Sequence, residues 1–94
     1  MDEIKIKNHD LKILPLYFED VCYGNKTFEL RKNDRDYKVG DTIRLREYTP
    51  SELIEYTPFA SEYTGRECNR TITYILRDCE KYGLKKGFVI LGIK

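Results

Sequence analysis

The chain contains no tryptophan, one histidine, one methionine and three cysteines. A single histidine and no C-x-x-C pair leave too few ligands for a zinc site of ordinary Cys/His spacing, so neither metal nor cofactor is expected. Cys22, Cys68 and Cys79 are odd in number and widely separated, which fits reduced structural thiols better than a disulfide framework. No apolar run approaches the ~20 residues needed to cross a bilayer. The start, Met1-Asp2-Glu3-Ile4-Lys5, lacks the apolar segment of a signal peptide, so the expected setting is cytoplasmic with no membrane partner. An excess of one charge is also missing. The net charge is +1 although 35% of residues are charged, which excludes a global basic field that would steer the chain toward nucleic acid.

Ninety-four residues make one domain, 1–94, and a chain of that length builds at most one compact core. Its 40% hydrophobic content is that of a soluble globular protein.

What the chain does have is a local crowd of charge. Gly24-Asn25-Lys26-Thr27-Phe28-Glu29-Leu30-Arg31 runs directly into Lys32-Asn33-Asp34-Arg35-Asp36, and cations outnumber anions from Gly24 to Arg46. On charge alone, a solvated face accounts for this.

The hydropathy pattern places that segment. Glu3-Ile4-Lys5-Ile6-Lys7 alternates as a short strand with Ile4 and Ile6 inward. Leu14, Phe18, Val21 and Cys22 fall at helical spacing, with Pro15 suited to a first turn and Gly24 to the position past the last, so a helix is expected over about 15–23. Thr27 to Arg31 then alternates, with Phe28 and Leu30 on one face and Thr27, Glu29 and Arg31 on the other. Asn33-Asp34-Arg35-Asp36 and Gly40-Asp41 are turn chemistry. Strands are expected at Thr42 to Tyr48, Arg70 to Leu76 and Phe88 to Ile93, the last apolar enough to be covered on both faces. Gly83 and Gly87 bracket a loop before it. The stretch 49–65 carries two prolines and reads as a long loop or irregular hairpin arm. Five or six short strands with one or two short helices make a mostly β (α+β) fold, a small barrel.

The pattern G-x-K-x-x-E-x-R, formed by Gly24, Lys26, Glu29 and Arg31, resembles the signature of the ASCH domain family, whose β-barrel is similar to the RNA-binding PUA domains. His9-Asp10-Leu11-Lys12, Pro15-Leu16-Tyr17-Phe18, Arg31-Lys32-Asn33-Asp34-Arg35, Val39-Gly40-Asp41, Tyr63-Thr64-Gly65-Arg66 and Gly87-Phe88-Val89-Ile90-Leu91 resemble a small bacterial and phage branch of that family without assigned function. The resemblance spans His9 to Lys94. It implies a PUA-like barrel and a ligand cleft built on the motif.

The residue chemistry suits such a cleft. Arg31 offers a planar fork for phosphate or a base edge, and Glu29 accepts from an exocyclic amine. Lys26 follows a helix end whose free carbonyls attract cations. Asn33, Arg35, Lys12 and Tyr17 are candidates for the rim, and Tyr48, Tyr56 and Tyr63 for stacking on unpaired bases. The plainer account is a Glu29–Arg31 salt bridge that only tiles the barrel.

Three functions follow. The first is a module that binds RNA, single-stranded nucleic acid or a nucleotide through Lys26, Glu29, Arg31, Asn33, Arg35, Lys12 and Tyr17. The second is a small hydrolase. Some ASCH-like proteins resemble amidohydrolases of acylated cytidine that use a lysine at the position of Lys26 to activate a threonine, but this chain has Glu29 in the threonine's place. Other relatives are linked to ribonuclease activity, for which His9, Lys26 and Glu29 would supply acid, base and charge stabilisation. The third is a protein-interaction module using the arm from Thr49 to Tyr63. The Thr-to-Glu departure ranks binding above catalysis.

Overall fold

His9, Leu11 and Ile13 are buried and alternate with exposed Asn8, Asp10 and Lys12, the period of two that defines a half-buried strand. This strand, β1 (Asn8–Ile13), lies later than the one expected at 3–7. In the computed structural model, which describes residues 5–50 and 62–94, residues 5–7 are not in a strand and Ile6 is exposed. The remaining elements are α1 (Pro15–Cys22), β2 (Phe28–Lys32), β3 (Thr42–Thr49), β4 (Glu62–Leu76), a 3-10 turn (Cys79–Tyr82) and β5 (Phe88–Ile93).

Helix α1 begins and ends for the reasons its sequence gives. Pro15 occupies the first turn, where its missing N–H costs no hydrogen bond, and Phe18 and Val21 turn inward. Gly24 follows with φ of +83°, a conformation costly for residues with a side chain. The Asp20 carbonyl then accepts from the N–H groups of Asn25 (2.8 Å) and Lys26 (2.9 Å), so the chain leaving the helix is fixed at the residue that starts the charged motif.

The five strands form one sheet in the order β1-β3-β4-β5-β2. β1 and β3 are parallel, and the β3–β4, β4–β5 and β5–β2 pairs are antiparallel. β4 holds the two halves together, since its first part pairs with β3 and its last part, from Ile72, with β5. Irregularities mark both stretches. One falls opposite Glu47, where Gly65 has φ of +95°. The other falls between Ile72 and Tyr74, where a Cβ on Gly92 would meet Thr73 Oγ1 and Tyr74 Cβ at 3.3 Å. Bulges of this kind bend a strand and increase its twist.

The bending does not close a barrel. β1 and β2 remain the two edges of an open sheet, which corrects the expected closed fold. The strands expected at 42–48 and 88–93 are present, whereas β4 begins at Glu62 and not at Arg70, so that 62–65 and Thr49 belong to strands and not to the expected arm. Val89, Leu91 and Ile93 of β5 are buried while Phe88 and Ile90 are half-buried, so that strand is more fully covered on one face than on the other.

The core gathers Leu11, Ile13, Phe18, Val21, Ile43, Leu45, Ile72 and Leu91. Each fully buried aliphatic side chain contributes about 1.5–3 kcal/mol relative to exposure. Arg70 of β4 docks α1 onto this core by donating to Val21 O (3.3 and 3.1 Å) and Cys22 O at the C-terminal end of the helix, where free carbonyls favour a cation.

Cys22 and Cys68 are joined by a disulfide, with Cα atoms 6.0 Å apart, where reduced thiols were expected. The last residue of α1 meets β4 across 46 positions of sequence, a proximity that spacing alone does not reveal. Cys79 is free and buried. Among the described residues no helix is long and apolar enough to cross a membrane.

Candidate functional site

Strand β2 turns its charged face inward. Glu29 is 4% exposed, whereas Phe28 and Leu30 are each 48% exposed, the reverse of what hydropathy would bury. Burying a lone carboxylate costs several kcal/mol, so such an arrangement persists only with close cationic partners. Glu29 has two. Its Oε1 accepts from Lys26 Nζ at 2.9 Å, and its Oε2 accepts from Arg31 Nε at 2.9 Å with Arg31 Nη2 at 2.7 Å.

Neither cation is consumed by that pairing. Lys26 Nζ gives a second hydrogen bond to Phe28 O (2.7 Å), which leaves one of its three donors. Arg31 Nη2 reaches across to Lys12 O on the opposite edge strand (2.8 Å), and Nη1 has no partner among the described residues. The side chains of Lys26 and Arg31 stay 19% and 21% exposed. The cluster therefore carries one net positive charge, with donors facing solvent.

Those donors face a cavity of about 500 Å³ at the seam between the edge strands. Its walls are Ile13, Leu14, Tyr17, Phe28 and Leu30, with Lys12, Lys26, Glu29 and Arg31 supplying the polar groups. Lys26 Nζ lies 4.6 Å from the Phe28 ring centroid and 5.3 Å from that of Tyr17, so the rings flank the cation. The helix-end carbonyls that would draw Lys26 are taken by Arg70 instead.

A second cavity of about 370 Å³ adjoins the first and shares Lys12 and Arg31 with it. It is lined by Asp10, Leu11, Lys32, Asp34, Arg35, Tyr37 and Tyr63 in addition. Arg35 also lies 3.9 Å from Asp34, and Arg46 stacks over Tyr63 at 3.8 Å. Lys12 Nζ sits 4.3 Å from the Tyr48 ring, and Tyr48 meets Tyr63 edge-on at 5.2 Å. Tyr37 is buried beneath the second cavity, and that burial raises its hydroxyl pKa, partly offset by Arg31 and Arg35.

Of the residues singled out from sequence, Lys12, Tyr17, Lys26, Glu29 and Arg31 line the first cavity and Arg35 the second. Tyr63 also lines the second, whereas Tyr48, His9 and Asn33 line neither. His9 is buried apart, with Nε2 2.8 Å from Asp41 Oδ2 and its ring edge-on to Tyr37 at 4.9 Å, because the period of β1 turns position 9 into the sheet. It does not stand with Lys26 and Glu29 as a third catalytic group. Asn33 is exposed and lines neither cavity, and its backbone N–H is held by Gly87 O (2.7 Å) just before β5. Tyr56 lies outside the described residues, as does most of the 49–65 arm. The apolar walls, Leu14, Phe28 and Leu30, escaped the sequence reading, although apolar residues flanking a Glu on an alternating strand carry the signal.

Asp41 anchors the loop before β3. Burial raises its carboxyl, but hydrogen bonds from His9 and from the N–H groups of Lys7 (3.2 Å) and Lys38 (3.0 Å) outweigh that and hold it below the usual carboxylate value.

The family described as Domain of unknown function (DUF3850) matches residues 8–93, a range that includes both edge strands and both cavities. The chain is also similar to a protein of Escherichia phage P2 described as "Uncharacterized 12.9 kDa protein in GpA 3'region", with 36% identity over 67 residues. That match covers 71% of this chain and 52% of the phage protein, so the chain spans about half the length of the curated relative it matches. With 8–93 matched, the chain belongs to the DUF3850 family.

Proposed function

We propose that the seam cavity binds one nucleotide unit of RNA or single-stranded nucleic acid. The observation that carries this reading is the buried Glu29 gripped on both oxygens by Lys26 and Arg31, which keep donors turned toward a cavity with aromatic and aliphatic walls. A fixed cationic pair suits a phosphate, and Tyr17 and Phe28 suit the plane of a base. The convergence of Lys26, Glu29 and Arg31 after Gly24 also supports kinship with the ASCH domains and their PUA-like relatives.

Hydrolysis has less support. Both Glu29 oxygens are occupied, His9 stands elsewhere, and the Thr27 hydroxyl has no hydrogen bond to Lys26. A protein-interaction role for the arm rests on residues outside those described.

Titration with short RNAs and single-stranded DNAs at two salt concentrations tests the proposal. Binding that weakens with salt at a log–log slope of about −0.7 per phosphate contacted, and that falls at least tenfold in Lys26→Ala, is expected. Undiminished binding in Lys26→Ala, or none by the wild type, would refute it. Incubation with acylated nucleosides and RNA should give no turnover.

A further inference from the structure

We infer that the ligand is a strand of several nucleotides and not a free mononucleotide, and that it leaves the first cavity over Arg31 and Lys12, crosses the second and continues to Lys85 and Lys86. This rests on the reading of the seam cavity as a nucleotide site and extends it.

Three observations support the track. The two cavities share Arg31 and Lys12 in their linings, so a phosphate joining two nucleotides would lie by the cations common to both. The second cavity is the more polar, with Lys12, Arg31, Lys32 and Arg35 against Asp10 and Asp34, which suits backbone and sugar better than a buried base. Beyond it, the Asn33 N–H···O Gly87 bond of 2.7 Å and the pairing of Lys32 with Phe88 bring the turn after β2 against the loop that carries Lys85 and Lys86.

The basic residues on this path are of two kinds: Arg31 and Arg35 pair with Glu29 and Asp34, and three lysines do not pair. Lys32, Lys85 and Lys86 are exposed and form no ion pair with a described residue. Lys85 and Lys86 are distant in sequence from the Gly24-to-Arg46 segment, and only the fold adds them to it. Unpaired lysines at the second cavity and on the loop beside it provide an electrostatic path for a strand.

The test compares uridine monophosphate, a uridine dinucleotide and a uridine hexanucleotide, each titrated into the wild type and into Lys85→Gln/Lys86→Gln. The inference expects affinity to rise at least tenfold from mononucleotide to hexanucleotide with a steeper salt slope. The double variant should lose at least fivefold for the hexanucleotide while staying within twofold for the mononucleotide. Equal affinity for all three ligands, or a double variant indistinguishable from wild type on the hexanucleotide, would overturn the inference and leave the single-nucleotide reading standing. Absence of binding at every length would overturn both. A melting temperature for the double variant within two degrees of wild type is the expected control, and Lys85→Glu/Lys86→Glu should deepen the hexanucleotide loss.

Discussion

Arg31 on one edge of the sheet donates to the main-chain oxygen of Lys12 on the other at 2.8 Å, while the same guanidinium holds Glu29. One side chain thus spans the gap where a closed barrel would have a backbone ladder. Arg31→Lys keeps the charge but not the fork. It should lower stability by about 1–2 kcal/mol in urea unfolding, the scale of one or two charge-assisted hydrogen bonds. Nucleotide affinity should fall roughly tenfold, about 1.4 kcal/mol.

Glu29→Gln separates folding from binding. Removing one partner of a fully buried pair costs about 3–5 kcal/mol, but Lys26 and Arg31 are each about a fifth exposed, so about 2 kcal/mol is expected here. Affinity for a phosphate-bearing ligand should hold or increase, because the cations remain and their counter-charge is gone. Chemical denaturation together with titration of the same sample checks both halves.

Much of this was legible in the chain because it rests on local rules. Pro15, Gly24 and the spacing of Phe18 and Val21 mark α1, and the alternation in 42–48 and 88–93 marks two strands. β1 was harder to read because a buried histidine opens its inward face, and that histidine needs Asp41, 32 residues away, to be satisfied. The site residues were legible as types, but the orientation of β2 was not. Hydropathy favours burying Phe28 and Leu30, and only the partners supplied by Lys26 and Arg31 make burying Glu29 tolerable. The cavity itself depends on β1 meeting β2 across the open sheet, a tertiary fact with no local signature. The Cys22–Cys68 link and the approach of Lys85–Lys86 to the motif are of the same kind.

Asp41 makes stability depend on acid. Its folded pKa lies below the ordinary value near 3.8, so its contribution is fully present above that value and is lost as pH falls through the folded pKa. Asp41→Asn should lower stability at pH 7 by about 1–3 kcal/mol, since three hydrogen bonds lose a charged acceptor. Its stability should then decline less steeply in acid than that of the wild type. Urea midpoints measured from pH 7 down to pH 2.5 give the comparison.

The Cys22–Cys68 bridge closes a loop of 46 residues, for which chain entropy gives about 4 kcal/mol and measured bridges commonly 2–4. Reductant should therefore lower the stability of the wild type by about 2–4 kcal/mol. Cys22→Ser should show the lower value with and without reductant, whereas Cys79→Ser should leave the reductant response intact.

The central claim is that Lys26, Glu29 and Arg31 form the floor of a nucleotide site at the seam. Amide shift mapping of isotopically labelled protein, titrated with a short single-stranded RNA at low salt, tests it most directly. The account predicts the largest shifts at residues 12–17 and 26–31, with smaller ones at 32–35 and 85–87. Shifts concentrated on the outer residues of β4 around Thr73 and Tyr74, with the seam unmoved, would contradict it.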